Sequence, residues 1–294
     1  MFMLISPAKK LAFADISSFG QNLTDIDLTL TTTAPEFLDE ADILIRQLRQ
    51  LSVSQVAQLM RISDRLAQLN WQRYQDWQLS AHQSAHHQEM HQSAQRFPLA
   101  RPAVFAFQGD VYQGMDALQF SAQDLAFAQH HLRILSGLYG ILRPLDLILP
   151  YRLEMGCGFS CHAAKNLYVF WQKHLMHYIA RWLQPELLPE ETAAYSKYGK
   201  AQPVVLNLAS HEYARVLDNT KLPGRVMTPV FKEYRDGTYK VIGLYAKKAR
   251  GLMVRFVVQN RITKAEDIQQ FNWAGYAYQE HLSDQQNWVF TRGS

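Results

Sequence analysis

The sequence predicts a mixed α/β (α+β) fold built as one compact domain, residues 1–294. Short apolar runs typical of buried strands are interspersed with longer stretches that have the apolar spacing of helices. No linker rich in Pro, Gly or Ser divides the chain, and no internal repeat is visible. The elements do not alternate regularly enough for a doubly wound parallel sheet, and no dinucleotide or P-loop glycine motif follows a strand.

The first predicted element is a short buried strand at Leu4 and Ile5, followed by a turn at Ser6. Residues 35–51 predict a helix, whose core face would comprise Phe37, Ile43, Leu44, Leu48 and Leu51. Two further helices are predicted, over residues 54–66 and 71–77, and a turn over residues 67–70 joins them. Residues 80–96 are rich in His, Gln, Ser and Ala, which predicts a solvated insertion.

The middle of the chain predicts a strand and a capped helix. Residues 104–107 are continuously apolar and are interpreted as a buried strand, ended by a turn at residues 108–110. Ser121 is a candidate N-cap. The helix that it would begin has one apolar face, formed by Leu125, Ala128, Leu132 and Leu135.

The last third predicts a helix, a strand and a β-hairpin. The helix covers residues 167–183 and would be ended by Pro185 and Pro189. Residues 204–208 form a short, branched apolar run typical of a buried strand. Two strand-like runs then meet at an Asp-Gly pair, which is a strong hairpin signal, over residues 226–234 and 238–245.

Positive charge is concentrated in one segment. Residues 221–264 contain 11 Lys or Arg and only two acidic residues, a local balance of +9. Because the whole chain carries +4, the remainder carries −5. Such asymmetry is typical of a surface that meets a polyanion, and a solvated face of an ordinary domain is the alternative.

Within that segment, residues 246–262 predict a helix with a charged side and a core side. The charged side comprises Lys247, Arg250 and Arg261, broadened by Lys248 and Arg255. The core side comprises Leu252, Met253 and Phe256. No base-reading pattern accompanies these cations, so nucleic-acid binding would use the backbone and its shape. A membrane surface is a weaker candidate because neither Trp nor Leu lines the charged side.

The sequence predicts a cytoplasmic protein without metal or cofactor. It has no apolar run of about 18 residues and no export signal, so its two cysteines are expected to be reduced. Two sets of residues have some character of metal ligands, one formed by His82, His86, His87 and His91, the other by Cys157, Cys161 and His162. The spacing of these residues is weak evidence for a metal site, so no metal ligands are predicted.

An enzyme acting on a nucleobase or nucleoside is the alternative function. Polar side chains follow several predicted strands, where catalytic clefts usually form. If they converge, a lysine with a carboxylate would suit lyase or glycosidic-bond chemistry. The candidate catalytic residues are Lys9, Glu154 and Asp110.

Seven motifs in order along the chain resemble the bacterial YaaA family. They are Ile5-Ser6-Pro7-Ala8-Lys9, Met60-Arg61-Ile62-Ser63-Asp64, Leu135-Ser136-Gly137-Leu138-Tyr139-Gly140, Arg143-Pro144-Leu145-Asp146, Tyr151-Arg152-Leu153-Glu154-Met155-Gly156, Asn207-Leu208-Ala209-Ser210, and Tyr245-Ala246-Lys247-Lys248-Ala249-Arg250-Gly251-Leu252-Met253. They cover almost the whole chain. This sequence departs from the family at Gln108, where a lysine is expected, at Gln68, where a glycine is expected, and in two surface insertions, residues 80–96 and 185–202.

The resemblance implies a cytosolic peroxide-stress protein that binds duplex DNA and lowers iron-dependent hydrogen peroxide damage. It also implies a fold of unusual topology with a positively charged cleft and a helix-hairpin-helix element, for which residues 66–70 and 135–140 are the candidate turns. No membrane and no protein partner is implied. The DNA-binding residues would then be Lys9, Lys10, Arg61, Arg65, Arg73, Gly137, Gly140, Arg143, Arg152, Lys247, Lys248, Arg250 and Arg255.

Overall fold

The structure is a computed structural model that describes residues 1–13, 32–79, 100–161, 164–183 and 203–293. Its strands are β1 (Phe2–Ile5), β2 (Lys10–Leu11), β3 (Arg101–Pro102), β4 (Phe107–Gln108), β5 (Leu132–Ser136), β6 (Gly140–Leu142), β7 (Leu147–Ile148), β8 (Val204–Asn207), β9 (Arg225–Arg235), β10 (Thr238–Lys240), β11 (Ala277–Tyr278) and β12 (Asn287–Arg292). Its helices are α1 (Leu38–Leu48), α2 (Val53–Met60), α3 (Asp64–Asp76), α4 (Ala103–Ala106), α5 (Asp110–Met115), α6 (Ala122–His131), α7 (Leu167–Leu183), α8 (His211–Ala214) and α9 (Gly243–Gln259).

The main sheet has the strand order β11-β12-β9-β8-β1-β5-β6, with β10 paired to β9. Its five central strands, from β12 to β5, run parallel, and β11 and β6 pair antiparallel at its edges. Two small antiparallel pairs, β2 with β4 and β3 with β7, lie outside this sheet. The mixed α/β prediction is confirmed. The parallel centre was not predicted, because the connection from β1 to β5 runs from residue 6 to residue 131.

Strand β1 lies in the middle of the sheet and is fully buried, as a central parallel strand covered on both faces must be. Several predicted elements are confirmed. Ser121 caps α6 in a reciprocal pair with Asp124, and α7 and β8 lie where the sequence places them. The hairpin turns at Asp236 and Gly237, whose φ values of 51° and 79° match the tight turn that an Asp-Gly pair favours.

Other predicted elements were wrong. Residues 104–106 belong to a short helix, α4, and only Phe107 belongs to a strand, β4. Every residue from 103 to 107 is buried, so the apolar run has no periodicity that separates helix from strand. Leu132 and Leu135 belong to β5, because α6 ends at His131. Ile43 is exposed, and Ala41 and Ile45 take its place in the core. The basic helix begins earlier than predicted, at Gly243, so the second hairpin strand is only three residues long.

Both predicted positions for a helix-hairpin-helix turn were wrong. Residues 66–70 lie inside α3, where the Asn70 side chain donates to the Leu66 carbonyl at 2.8 Å as a helical residue does. The turn that joins α2 and α3 comes earlier, at Arg61, whose φ is 51°. Residues 135–140 form a buried turn between two antiparallel strands, β5 and β6, so no helix flanks it on either side.

The predicted insertions, residues 80–96 and 185–202, and the histidines at 82, 86, 87, 91 and 162 lie outside the described residues. Division into one domain stays a prediction. Among the described helices, none is long and apolar enough to cross a membrane.

Candidate functional site

A cleft of about 360 Å³ opens at the carboxyl ends of two neighbouring parallel strands, β1 and β8. Ser6 follows β1 and Leu208 follows β8, and both line the cleft. The next strand of this sheet after β1 is β5, which lies beside β1 in one direction along the strand order. The next strand after β8 is β9, which lies beside β8 in the opposite direction. Such a reversal of direction opens a crevice beyond the strand ends, which is where open α/β sheets bind ligands.

The two serines at this edge hold the strand ends together. The Ser6 hydroxyl donates to Ser210 Oγ at 3.1 Å and accepts the Ser210 backbone N–H at 2.8 Å. The Tyr112 hydroxyl of α5 donates to the Ser6 carbonyl at 3.1 Å. A further tyrosine of the cleft, Tyr151, is tied to Ser136 at the end of β5, with 2.7 Å between the hydroxyl oxygens. The strand ends at the base of the cleft are therefore joined by side-chain hydrogen bonds.

On one wall of the cleft, the Glu154 carboxylate is neutralised by two cations, Lys9 and Arg152. Glu154 accepts from Lys9 Nζ at 2.8 Å and, through its other oxygen, from Arg152 Nε and Nη2 at 3.1 and 2.8 Å. The Arg152 carbonyl in turn accepts from the Tyr74 hydroxyl of α3. Lys9 remains 65% exposed along its side chain, so its ammonium is still reachable from solvent.

The opposite wall is formed by α9, which contributes Lys247 and Arg250. Burial lowers the pKa of the Arg250 guanidinium from its usual range. Within the described part of the chain, neither side chain forms an ion pair with a carboxylate. A partly desolvated guanidinium without a carboxylate is stabilised by an incoming anion.

Two glycines set the position of this wall. A Cβ at Gly251 would lie 1.9 Å from the Val111 carbonyl oxygen, and a Cβ at Gly114 would lie 2.2 Å from the Lys248 carbonyl oxygen. Helices α5 and α9 therefore pack backbone against backbone. This contact brings Arg250 beside the first turn of α5, where Asp110 lines the cleft.

A further carboxylate, Glu212, lines the cleft, and the Cys157 thiol lies near it. Glu212, after β8, accepts the Gly156 backbone N–H at 3.1 Å. Burial raises the pKa of the nearby Cys157 thiol to about 11, and Glu154 and Glu212 contribute to that shift. Burial also raises the pKa of Cys161 to about 11. Among the described residues, no group of three His, Cys, Asp or Glu side chains is arranged to hold a metal ion.

The cleft brings together seven of the residues singled out from the sequence. They come from segments far apart in the chain: Lys9, Lys10, Asp110, Arg152, Glu154, Lys247 and Arg250. Gln108, which stands where the family resemblance predicts lysine, pairs with Lys10 across β2 and β4 and also lines the cleft. The departure from the family pattern therefore lies in the cleft itself.

The other predicted DNA-binding residues do not line the cleft. Arg61, Arg65 and Arg73 lie on the α2–α3 pair, and Lys248 is exposed on α9. Arg255 contacts the Asp116 carboxylate at 3.4 Å and Arg143 contacts Asp146 at 3.0 Å, so both serve other parts of the fold. Gly137 and Gly140 are buried, and a Cβ at Gly140 would lie 2.6 Å from the Trp171 ring.

Sequence reasoning missed the aromatic lining and the helix contact. Tyr151 and Tyr213 line the cleft and are each less than a tenth exposed, but isolated tyrosines give no signal in a sequence. The one available signal for the helix contact was Gly251, a glycine inside a predicted helix, which usually has a packing reason.

Comparison with known proteins identifies the family. A model of the family described as "Peroxide stress protein YaaA" matches residues 1–282. The chain is 44% identical to a UPF0246 protein of Cellvibrio japonicus (strain Ueda107) over 292 residues, which is 99% of this chain and 98% of the relative. It is 42% identical to a UPF0246 protein of Dechloromonas aromatica (strain RCB), which covers 99% of both chains. The family description fits the peroxide-stress role that the sequence resemblance implies. The chain belongs to the YaaA family of peroxide stress proteins.

Proposed function

We propose that this protein binds duplex DNA in the cytoplasm, through phosphate contacts at the cleft, and thereby protects DNA from iron-dependent hydrogen peroxide damage. The observation that carries the proposal is the convergence on one cleft of five cations from three separate chain segments: Lys9, Lys10, Arg152, Lys247 and Arg250. Lys9 and Arg152 share the Glu154 carboxylate, whereas Lys10, Lys247 and Arg250 form no ion pair with a carboxylate among the described residues. Phosphate oxygens bind such donors with charge and hydrogen bonds together. No base-reading element accompanies them, so binding would follow backbone and shape.

Counterion release links this binding to iron. DNA holds a condensed atmosphere of cations, and each phosphate that a protein neutralises releases part of it. Fe²⁺ is a cation of that atmosphere, and hydrogen peroxide that meets it there generates damage beside the backbone. A protein that replaces bound cations with Lys247 and Arg250 would lower the amount of iron at the DNA. No iron ligand in the protein is needed.

Fluorescence anisotropy with a labelled duplex of about 20 base pairs tests the binding. Lys247→Ala/Arg250→Ala is expected to weaken binding by about tenfold per lost charged contact. Lys173→Ala/Lys221→Ala removes the same charge from residues outside the cleft and is expected to change affinity less than about threefold. Equal losses in the two variants would mean that general charge, and not the cleft, binds DNA.

Plasmid nicking by Fe²⁺ and hydrogen peroxide tests the protection. The wild-type protein is expected to reduce nicking, and Lys247→Ala/Arg250→Ala is expected to lose most of that effect at the same concentration. Protection by the variant that equals protection by the wild type would separate protection from DNA binding.

Catalysis on a nucleobase or nucleoside is the second candidate function. The contact of 2.8 Å between Lys9 Nζ and Glu154 Oε2 favours it, because both groups face a cleft at strand ends. A panel of damaged duplexes and nucleosides, followed by chromatography, tests it. Product that the wild type forms and Lys9→Ala does not form would establish activity, and no product across the panel would leave binding alone.

A further inference from the structure

Two exposed aliphatic side chains precede the basic wall of the cleft. Val241 is 56% exposed and Leu244 is 58% exposed, the highest values among the large hydrophobic side chains of the described residues. Val241 directly follows the hairpin, and Leu244 lies in the first turn of α9. Single exposed aliphatic residues are common on protein surfaces, but these two are flanked by cations on both sides, Lys240 and Lys247.

The order of residues along α9 joins this aliphatic pair to the cleft. Leu244 and Lys247 are three residues apart, so their side chains lie on the same helix face, about 5–6 Å apart at Cβ. Lys247 lines the cleft. Proteins that bend or open a duplex use the same combination, in which an aliphatic wedge enters the base stack and neighbouring cations hold the phosphates.

The cleft has the size and lining of a site for one nucleotide. Its volume of about 360 Å³ lies at the small end of ligand sites and excludes a stretch of duplex. Tyr112 and Tyr213 supply apolar aromatic surface, and the carboxylates of Asp110 and Glu212 supply hydrogen-bond acceptors. Arg250 on the wall offers a guanidinium without a carboxylate partner in the described residues. Enzymes that extrude a base receive it with stacking surfaces and polar groups of this kind.

We propose that the cleft receives a single nucleotide extruded from duplex DNA, while Val241 and Leu244 fill the space that it leaves in the stack. The inference rests on the proposed function, since it needs a bound duplex. It adds a ligand class for the cleft and a role for the aliphatic pair. The cations then have a division of roles: Lys247 and Arg250 each hold one of the two phosphates that flank the extruded nucleotide, and Lys10 holds the next phosphate along the strand.

The test uses a duplex with 2-aminopurine at a central position, whose fluorescence rises when the base leaves the stack. Saturating wild-type protein is expected to raise the fluorescence severalfold. At a concentration that saturates the duplex, Val241→Ser/Leu244→Ser is expected to lose most of the rise, because serine does not fill the space in the stack. Leu118→Ser/Val169→Ser, which also removes two exposed aliphatic side chains, is expected to keep it. Equal urea midpoints of both variants verify that they fold.

A second measurement uses the cost of unpairing. A duplex with one mismatched pair is expected to bind about tenfold more tightly than the intact duplex, because less stacking and pairing is lost on extrusion. Binding of both duplexes without a fluorescence rise and with equal affinity would overturn this inference and leave the proposed function standing. A rise that persists in Val241→Ser/Leu244→Ser would overturn the wedge. No binding of any duplex would overturn the proposed function as well.

Discussion

Replacing Gly251 with alanine tests how the basic wall of the cleft is held. The new Cβ would lie 1.9 Å from the Val111 carbonyl oxygen, whereas carbon and oxygen atoms in contact need about 3.3 Å. Helices α5 and α9 would therefore have to separate by about 1.4 Å. The obstacle is backbone and cannot rotate away. Overpacking of this kind costs about 1–3 kcal/mol, occasionally more, and we place this site at the upper end.

Alanine also gains about 1 kcal/mol of helix propensity over glycine, so the expected net loss is about 2 kcal/mol. With an unfolding entropy of about 2.1 cal/mol/K per residue, that loss lowers the melting temperature of this 294-residue chain by about 3 °C, measured by calorimetry or circular dichroism. DNA affinity is expected to fall with it, because Arg250 moves with α9. Gly243→Ala, in the same helix with no atom within 4 Å of the new Cβ, is the control and should melt at or above the wild type. A Gly251→Ala protein as stable as the wild type would refute the backbone contact.

Two further predictions concern titration. Burial lowers the pKa of His131 to about 4 from an unfolded value of 6.5. Its contribution to the free energy of unfolding is therefore full above pH 6.5 and is lost, on the order of 3 kcal/mol, as the pH falls to about 4. In urea unfolding, the stability of His131→Gln should decline less between pH 6.5 and 4 than that of the wild type or the exposed-site variant His177→Gln, and parallel declines would contradict this prediction. Because burial raises the pKa of Cys157 and of Cys161 to about 11, two units above an ordinary thiol value of 9.0, their thiolate fraction at neutral pH is about 100-fold below that of a free thiol. Peroxide should therefore oxidise both thiols slowly, as measured by mass spectrometry, and Cys157→Ser/Cys161→Ser should protect DNA as well as the wild type. Rapid sulfenic acid formation would show that a cysteine senses peroxide.

Local chemistry made part of the fold predictable. The reciprocal cap of Ser121 and Asp124 and the turn at Asp236 and Gly237 depend on a few neighbouring residues, so the sequence indicates them directly. Helix α4 was not predictable, since a short segment buried on all sides carries no periodicity. The parallel centre was not predictable either, because β1 pairs with β8 about 200 residues later, as in the register of Met3 with Leu206.

The sequence indicated which residues could form the candidate site, but it did not indicate that they lie together in the fold. Polar residues after strands pointed to Lys9 and Glu154, and charge density pointed to Arg250. Their convergence depends on long-range strand pairing and on the helix contact at Gly251, which no local pattern encodes. A prediction of DNA-binding residues from charge density also includes cations that form ion pairs with carboxylates elsewhere in the fold. Arg255, which contacts Asp116, was included for that reason.

The salt dependence of duplex affinity measures how many phosphates the cleft neutralises. The logarithm of the binding constant falls linearly with the logarithm of salt concentration, with a slope of about −0.9 per neutralised phosphate. If Lys247 and Arg250 each contact a phosphate, Lys247→Ala/Arg250→Ala should have a slope shallower by about 1.8 than the wild type. Lys173→Ala/Lys221→Ala should keep the wild-type slope. A slope that Lys247→Ala/Arg250→Ala leaves unchanged would contradict the claim that the cleft binds the DNA backbone.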